Sequence, residues 1–240
     1  VQCTNDDQDF NKDYDIDHAV IGDAKLVLNQ LIEEVGRLIA PQQRVDNSEP
    51  ATEIKDVKGK WLAEWMPKLT SDETPINPYR VIWDLMHTVD RGNTIVTHDS
   101  GSPRDQTIPF YEAVSPRGFL AWGKSTQLGF SLGLAIGAKL AAPEKLSVNI
   151  MGDYAFGSVG LDLDTAVRER IPILTIVLNN SAMGIYSPER FPTANDIYGT
   201  KYLSGNYAQI AEALGCYSER VERPQEIVPA IQRAQRAIGN

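Results

Sequence analysis

Two short polar segments, each directly after an apolar run, constrain the fold of this 240-residue chain more than any other feature. Residues 151–157 (MGDYAFG) follow the apolar run at 146–151, and residues 178–184 (LNNSAMG) follow the run at 171–178. Each run has the length and the β-branched content of a buried strand. The sequence therefore predicts two strands that each end in a polar loop.

The connection between these strands predicts where the two loops meet. Residues 159–170 are predicted as a helix, and a strand–helix–strand unit of this size forms neighbouring parallel strands whose carboxyl ends share one edge. Asp153 and Asn180 come just after those ends. Their oxygens suit Mg²⁺ or Ca²⁺, and an ion with one protein carboxylate completes its shell with water or phosphate oxygens. Backbone donors around Gly152 favour phosphate, so we predict a magnesium-bound diphosphate.

These residues resemble the fingerprint of a known enzyme group. The Gly-Asp pair at 152–153, with Asn180 following Asp153 by 27 residues, is similar to the thiamine-diphosphate motif of the acetolactate synthase, benzoylformate decarboxylase and 2-hydroxyacyl-CoA lyase group. Tyr154 departs from the Gly or Ala that is common in third place. The resemblance adds the Ala182 carbonyl to the metal ligands. The alternative is an ordinary strand–helix–strand unit whose Gly-Asp and Asn-Asn pairs only form turns.

The resemblance also implies the remaining contacts with thiamine diphosphate. The glycine-rich segment 122–138 is similar to the family's helix that meets the aminopyrimidine ring, and Leu128 is the catalytic candidate because it would support the bent cofactor conformation. The loop after the predicted strand at 94–97 would lie beside the diphosphate, whereas His98 is either structural or an acid–base group. The cofactor-binding candidates are Ser100, Gly101, Ser102, Thr126, Leu128, Gly152, Tyr154, Ala155, Gly184 and Ile185.

Residues 118–125 (GFLAWGKS) support a competing function, because they match the Gly-x4-Gly-Lys-Ser pattern of a nucleotide-binding loop. An ATPase or a GTPase would use such a loop. Against this function, three bulky side chains stand where a phosphate-wrapping loop needs compact residues, and no strand is predicted directly before it. A nucleotide hydrolase also leaves the loop at 178–184 unexplained, so we predict that Lys124 does not bind a γ-phosphate.

Composition limits the partners and the location of the protein. Lys and Arg number 23 against 32 Asp and Glu, a formal charge of −9 without a basic stripe, which argues against nucleic acid and anionic membranes as partners. Cys3 and Cys216 lack metal-ligand or redox spacing, so no disulfide is predicted. No window reaches the roughly 18 apolar residues of a membrane helix, and no signal peptide is recognisable. We therefore expect a cytoplasmic protein.

The pattern along the chain predicts one large domain after a smaller piece. Residues 1–40 resemble the carboxyl-terminal remnant of the family's middle domain. Residues 41–73 are predicted as a linker, which is polar, charged and glycine-punctuated over 41–60 and then continues into a helix with exposed charge through Trp61, Trp65 and Met66. Residues 74–240 are predicted as the thiamine-diphosphate-binding domain, with a helix starting at Asn77-Pro78 and a strand at 216–221. Its expected α/β fold is a doubly wound parallel sheet with helices on both faces.

The resemblance implies an enzyme that uses thiamine diphosphate and Mg²⁺ to make or break a carbon–carbon bond next to a carbonyl, a lyase or transferase acting on a 2-oxo acid or a 2-hydroxyacyl-CoA. In this family the catalytic Glu comes from a pyrimidine-binding domain, and neither Glu112 nor Glu189 lies in a matching motif. We therefore predict a half-site, completed by such a domain or subunit within a homo- or hetero-oligomer. A non-catalytic cofactor-binding module is the alternative. The substrate, any FAD requirement and the dimeric or tetrameric state stay open.

Overall fold

The computed structural model describes residues 1–39, 48–121, 127–183, 188–199 and 203–239. Contacts divide the chain into two compact units, Val1–Trp61 and Leu62–Asn240. The described strands are β1 (Gln2–Thr4), β2 (Ala19–Ile21), β3 (Thr94–His98), β4 (Phe119–Leu120), β5 (Leu146–Gly152) and β6 (Leu174–Leu178). The described α-helices are α1 (Ala24–Leu38), α2 (Ser48–Leu69), α3 (Pro78–Thr88), α4 (Ser102–Thr107), α5 (Phe130–Ala141), α6 (Asp153–Val159), α7 (Leu163–Arg168), α8 (Pro192–Tyr198), α9 (Tyr207–Ala213) and α10 (Ile227–Ile238).

The first unit contains a small parallel sheet, the amphipathic helix α1 and the amino-terminal part of α2. β1 and β2 pair in parallel, and Asp23 caps α1 by accepting hydrogen bonds from the amides of Lys25 and Leu26, as an Asp at this position commonly does. Val27 is buried. Six apolar side chains of α1 are between 42% and 69% exposed, namely Leu26, Leu28, Leu31, Ile32, Val35 and Leu38.

Much of the predicted linker, residues 41–73, is helical. It contains α2, a helix of 22 residues from Ser48 to Leu69. The helix expected through Trp61, Trp65 and Met66 is thus present, but it begins earlier, at Ser48. The Ala, Glu and Lys residues before Trp61 have high helix propensity, which outweighs Gly59 and the polarity on which the linker prediction rested. The domain boundaries themselves stay a prediction.

The four strands of the second unit form a parallel sheet in the order β4-β3-β5-β6. The chain runs from β3 to β4 on one side and from β5 to β6 on the other, so the winding direction reverses between β3 and β5. The register pairs His98 with Ile150 and Gly152 with Leu178, and the loops after β3, β5 and β6 therefore leave the same edge. Open α/β sheets bind ligands at this edge, next to the reversal point.

Helices flank this sheet. α5 contacts β3 and β5, α4 contacts the same two strands, and α10 contacts β6 and α3. Five consecutive residues of β5, 147–151, are buried, which is the burial of a parallel strand covered on both faces. The predicted α/β class, a parallel sheet flanked by helices, is confirmed.

A compact apolar cluster holds α5, β5 and α6 together beside the carboxyl edge. Leu132 of α5 and Met151 of β5 are fully buried, and Ala155 and Phe156 of α6 pack with them. Burial of a large apolar side chain contributes roughly 1.5–3 kcal/mol. The elements that carry the predicted site are thus fixed to one another by packing.

Two predicted elements differ from the structure, and the first is the helix at 159–170. The chain instead forms α6 directly after β5, then a 3-10 turn at Gly160–Asp162, and then α7. Gly160 permits this break, because a β-carbon there would stand only 2.7 Å from Cε1 of the Phe156 ring. The following strand correspondingly begins at Leu174.

The strand predicted at residues 216–221 does not form. The Cys216 amide and the Ser218 hydroxyl donate to carbonyls of α9 at 3.0 and 2.7 Å. Glu219 accepts two hydrogen bonds from Arg233 of α10, at 2.9 and 2.6 Å. Because these bonds tie the segment to α9 and α10, it does not pair with β6.

Candidate functional site

A cavity of about 1510 Å³ lies at the carboxyl edge of the sheet and continues along β6. Every predicted metal- or cofactor-binding residue that the structure describes lines this cavity. These residues are Ser100, Gly101, Ser102, Leu128, Gly152, Asp153, Tyr154, Ala155, Asn180 and Ala182. The predicted residues Thr126, Gly184 and Ile185 lie outside the described residues. Sequence reasoning thus selected residues that four separate segments of the chain bring together.

Asp153, the first residue of α6, is the buried acid of the cavity. It is 2% exposed, its Oδ1 accepts a hydrogen bond from the Tyr154 amide at 2.8 Å, and its Oδ2 has no hydrogen-bond partner among the described residues. Burial raises the pKa of the Asp153 carboxyl, and the nearby amides of Tyr154, Ser181 and Ala182 offset part of this rise. A buried carboxylate oxygen without a partner is costly, and a bound cation would remove that cost.

The loop after β6 folds back beside Asp153 through two side-chain-capped turns. Asn179 Oδ1 accepts from the Ser181 amide at 3.0 Å, and Asn180 Oδ1 accepts from the Ala182 amide at 3.1 Å. Ser181 has φ of +56°, a left-handed conformation that such turns tolerate. An amide oxygen has a second lone pair, so Asn180 is able to keep its turn and still bind a metal ion.

The donor set of this cavity fits Mg²⁺. It comprises the Asp153 carboxylate, the Asn180 amide oxygen and the Ala182 carbonyl, all hard oxygen ligands of the type that Mg²⁺ prefers. No group of three or more His, Cys, Asp or Glu side chains suited to a metal occurs in the part of the chain that the structure describes. A site with a single carboxylate leaves coordination positions for phosphate oxygens.

The loop after β3 lies against the loop after β5. Gly101 has φ of +78°, which glycine adopts without strain, and α4 begins at Ser102. A β-carbon on Gly152 would be 3.7 Å from Pro103 Cγ, an ordinary packing distance. Ser100, Gly101 and Ser102 therefore lie close to the start of α6.

Leu128 lines the cavity just before α5. It packs against the apolar cluster of Leu132, Met151 and Phe156, so its position is fixed by the core. Gly129 follows with φ of +88°. This turn separates Leu128 from the helix that begins at Phe130.

The structure does not bring His98 to the cavity. Its side chain is 3% exposed, Nδ1 lies 3.1 Å from the Asp99 carbonyl, and the ring centroid lies 5.4 Å from that of Phe119. His98 is not among the described residues that line the cavity. The packing favours a structural role.

The described part of this motif, residues 118–121, argues against a nucleotide-binding loop. Phe119 and Leu120 form β4 and pair in parallel with β3, so they are not free to wrap a phosphate. No strand occurs in residues 111–118, where such a loop would need one. Lys124 lies outside the described residues.

Sequence reasoning missed two residues near the cavity. Asp99 opens the segment Asp-Ser-Gly at 99–101, directly after β3, and this local sequence gave it no role. In the structure Asp99 is 1% exposed, so its carboxylate needs hydrogen-bond partners. Tyr207 packs its ring 5.4 Å from that of Phe156, and burial together with the charge of Asp153 raises the pKa of its phenol. No local signal could have placed Tyr207 near Asp153, because only tertiary packing brings α9 there.

Comparison with known proteins identifies the family. A family sequence model described as "Thiamine pyrophosphate enzyme, C-terminal TPP binding domain" matches residues 99–239. This chain belongs to that family. Thiamine pyrophosphate is another name for thiamine diphosphate, so the resemblance inferred from the Gly-Asp and Asn-Asn motifs is confirmed.

Similar proteins include synthases and a lyase of this family. A probable acetolactate synthase large subunit of Methanococcus aeolicus is 28% identical over 246 residues, which cover 95% of this chain and 39% of that protein. Acetolactate synthase isozyme 3 large subunit of Escherichia coli is 26% identical, covering 98% of this chain and 40% of its own length. A 2-hydroxyacyl-CoA lyase of Oryza sativa is 28% identical, with 91% and 39% covered. The chain thus spans about two-fifths of the length of these relatives.

Two further observations concern the character of the helices and the state of the two cysteines. Among the described residues, none of the helices combines the length and the apolar character needed to cross a lipid bilayer. Cys3 and Cys216 are both free thiols, and burial raises the pKa of Cys216, which disfavours its reactive thiolate.

Proposed function

We propose that this chain binds thiamine diphosphate through Mg²⁺ and forms the diphosphate-binding half of an enzyme active site. The observation that carries the proposal is the convergence of the loops after β3, β5 and β6 on one cavity, around Asp153 Oδ2, which has no hydrogen-bond partner within the described part of the chain. Membership of the thiamine pyrophosphate family supports the identity of the cofactor.

The residues of the cavity divide into three roles. Asp153, Asn180 and the Ala182 carbonyl hold the metal ion, and the Asp153 carboxylate supplies the negative charge of the protein ligand set. The backbone amides of Gly101, Ser102 and Ala155 donate to the diphosphate, because amides in loops and at the starts of helices lack acceptors within the helix. The amides of Ser100 and Tyr154 instead donate to Asp99 Oδ1 and Asp153 Oδ1, so these residues line the diphosphate site without donating those amides to it. The bound cofactor supplies a carbon nucleophile that stores the electron pair of a breaking carbon–carbon bond. Leu128, fixed by the core, supports the bent cofactor.

The proposed reaction makes or breaks a carbon–carbon bond next to a carbonyl, as a lyase or a transferase does. Relatives named acetolactate synthase and 2-hydroxyacyl-CoA lyase support a 2-oxo acid or a 2-hydroxyacyl-CoA as substrate. The aminopyrimidine ring needs a carboxylate, and we propose that a pyrimidine-binding domain or subunit provides it. Glu112 is not assigned this role, since it pairs with Arg91 at 3.1 Å and does not line the cavity.

The Asp153→Asn variant tests the metal site. It keeps the side-chain volume but removes the charged ligand, so thiamine diphosphate should bind roughly a hundredfold more weakly at the same Mg²⁺ concentration, about 2.7 kcal/mol. Isothermal titration calorimetry measures this affinity. At neutral pH the metal-free variant should melt at the same temperature as the parent or higher, because it no longer buries a charge without a partner.

Asp105→Asn is the matched control. Asp105 also lines the cavity, but its side chain is 64% exposed and pairs with Arg104 at 2.9 Å, a type of contact that contributes little. This control should bind like the parent. Equal affinity in Asp153→Asn and the parent would remove Asp153 from the metal site. A parent that binds ATP and no thiamine diphosphate would support the nucleotide-binding alternative at 118–125.

A further inference from the structure

Asp99 is a buried carboxylate to which the roles above assign nothing. It directly follows β3 and is 1% exposed. It is not among the described residues that line the cavity. A carboxylate in such a place is stable only when its oxygens are well paired.

Four donors from two separate segments pair the Asp99 carboxylate. Its Oδ1 accepts from the amides of Ser100 at 2.9 Å and Gly129 at 3.0 Å. Its Oδ2 accepts from the Ser131 amide at 3.1 Å and from the Ser131 hydroxyl at 2.6 Å. Hydrogen bonds to an ionised acceptor are about twice as strong as neutral ones, so the carboxylate holds Ser100 and the start of α5 together strongly.

Asp99 caps α5 from another part of the chain. The first amides of a helix have no acceptor within the helix, and at the start of α5 the N-cap residue, Gly129, has no side chain to serve them. A Ser or Asp at this position would cap the helix locally. It does not fit, however, because Gly129 has φ of +88° and a β-carbon there would stand 2.5 Å from Val159 Cγ1. The cap therefore comes from the end of β3.

This arrangement links two chain segments that both line the cavity. Ser100 opens the loop after β3, and Gly129 follows Leu128. We propose that Asp99 is a positioning residue that fixes the loop at 100–102 and Leu128 relative to each other before the cofactor binds. The inference rests on the proposed function, because these two segments are the candidates for contacting the diphosphate and the bent cofactor. Asp99 thus raises cofactor affinity by preorganisation, without contacting the cofactor.

The Asp99→Asn variant tests this role in the 240-residue chain. The amide has nearly the volume of the carboxylate, but its NH₂ group in place of one oxygen leaves the donors at Ser100 and Gly129, or those at Ser131, without an acceptor. At saturating Mg²⁺ the dissociation constant of thiamine diphosphate should rise at least about tenfold, or about 1.4 kcal/mol. In the cofactor-free chain, the amides of Ser100, Gly129 and Ser131 should exchange hydrogen faster than in the parent.

Ser147→Ala is the matched control, because it removes a buried hydrogen bond from the same helix at another point. The Ser147 hydroxyl of β5 donates to the Ala135 carbonyl of α5 at 2.8 Å, and Ser147 is fully buried. This variant should lose thermal stability but bind the cofactor like the parent, when both are measured well below their melting temperatures. A purely structural Asp99 predicts parental affinity in both variants, and that result would overturn the proposal.

The remaining outcomes are also decisive. A parent that does not bind thiamine diphosphate refutes the proposed function and removes the basis of this inference with it. A parent that binds, together with an Asp99→Asn variant that binds equally well, refutes the positioning role alone. If Asp99→Asn does not fold, Ser131→Ala removes only the 2.6 Å hydroxyl donor and should weaken cofactor binding by a smaller factor. Unchanged affinity in Ser131→Ala would then overturn the proposal.

Discussion

Tyr111 illustrates the effect of burial on a single side chain. It is 7% exposed, its ring stacks on Phe119 with centroids 5.9 Å apart, and its hydroxyl has no hydrogen-bond partner among the described residues. Burial raises the pKa of Tyr111 to about 12, although the charge of Arg91 opposes the rise. The phenol is therefore held in its neutral form.

We expect Tyr111→Phe to reduce the alkaline sensitivity of the fold. Below the ordinary pKa of 10.0 the phenol is protonated in both the folded and the unfolded chain. Between about pH 10 and about 12 the unfolded chain releases this proton while the folded chain keeps it, so the free energy of unfolding falls as the pH rises. The variant should avoid a loss of roughly 1–2 kcal/mol, measured by urea unfolding across this range. Parallel losses in variant and parent would contradict the prediction.

Among single residues, the sequence predicts best those whose place depends on local pattern. Asp153 and Asn180 each follow a strand, and strand ends in a parallel sheet meet at one edge, so their proximity followed from the order of the elements. Asp99 lies in a recognisable pattern after β3, but its role could not be recognised there, because its partners Gly129 and Ser131 come about thirty residues later. Such pairing depends on how α5 packs on the sheet.

At the scale of elements, the start of α5 packs so closely against the end of α6 that no side-chain atom fits between them at Gly129. Gly129 has a left-handed backbone, and a β-carbon there would stand 2.5 Å from Cγ1 and 3.0 Å from Cγ2 of Val159. The position therefore requires glycine for two separable reasons, the backbone conformation and the space. Gly133, one turn further along α5, has open space at the corresponding place, with no neighbouring atom within 4 Å of where a β-carbon would stand.

We predict that Gly129→Ala lowers the free energy of unfolding by roughly 2–4 kcal/mol, from the left-handed backbone and from overpacking. Val159→Ala removes the clashing methyl groups, so the double variant should recover the overpacking part but not the backbone part. Denaturant unfolding of the four chains measures this coupling. Gly133→Ala is the control and should be neutral or stabilising. Strict additivity of Gly129→Ala and Val159→Ala would show that the two side chains do not meet.

Elements with a strong local signal were predictable, and those decided by tertiary contacts were not. Asn77 caps α3 by accepting from the Tyr79 amide at 3.1 Å, as the Asn-Pro pair predicts, and β3 and β5 lie where the apolar runs place them. The segment 216–221 has the residue types of a strand, yet its hydrogen bonds go to α9 and α10. The later part of α2, around Trp61, Trp65 and Met66, was also predictable, whereas the polarity of residues 48–60 concealed their helix propensity.

At the scale of the whole molecule, the chain is short compared with its relatives. It covers 39% or 40% of the length of the proteins compared above, and those lengths include regions that this chain does not match. The half-site proposal places the pyrimidine-binding domain outside these 240 residues, on the same polypeptide or on another subunit.

The half-site proposal predicts cofactor binding without catalysis by the 240-residue chain alone. With thiamine diphosphate, Mg²⁺ and either pyruvate or a 2-hydroxyacyl-CoA, no sustained turnover is expected, because no carboxylate is assigned to the aminopyrimidine ring. Product formation is followed by chromatography, and calorimetry on the same sample checks that the cofactor is bound. Addition of a matching pyrimidine-binding domain should restore turnover. Sustained activity of the isolated chain would refute the half-site.

Because the winding reverses between β3 and β5, the cavity exists only in the folded chain. Its walls come from loops that lie far apart in sequence and meet only when the sheet is complete, so an unfolded chain has no equivalent surface. A ligand that binds only the folded state stabilises it by mass action, by about 2.7 kcal/mol at a free concentration one hundred times its dissociation constant. Protection from cellular proteases follows the folded fraction. With thiamine diphosphate as the ligand, as proposed, the lifetime of this protein in a cell would therefore depend on the supply of the vitamin thiamine.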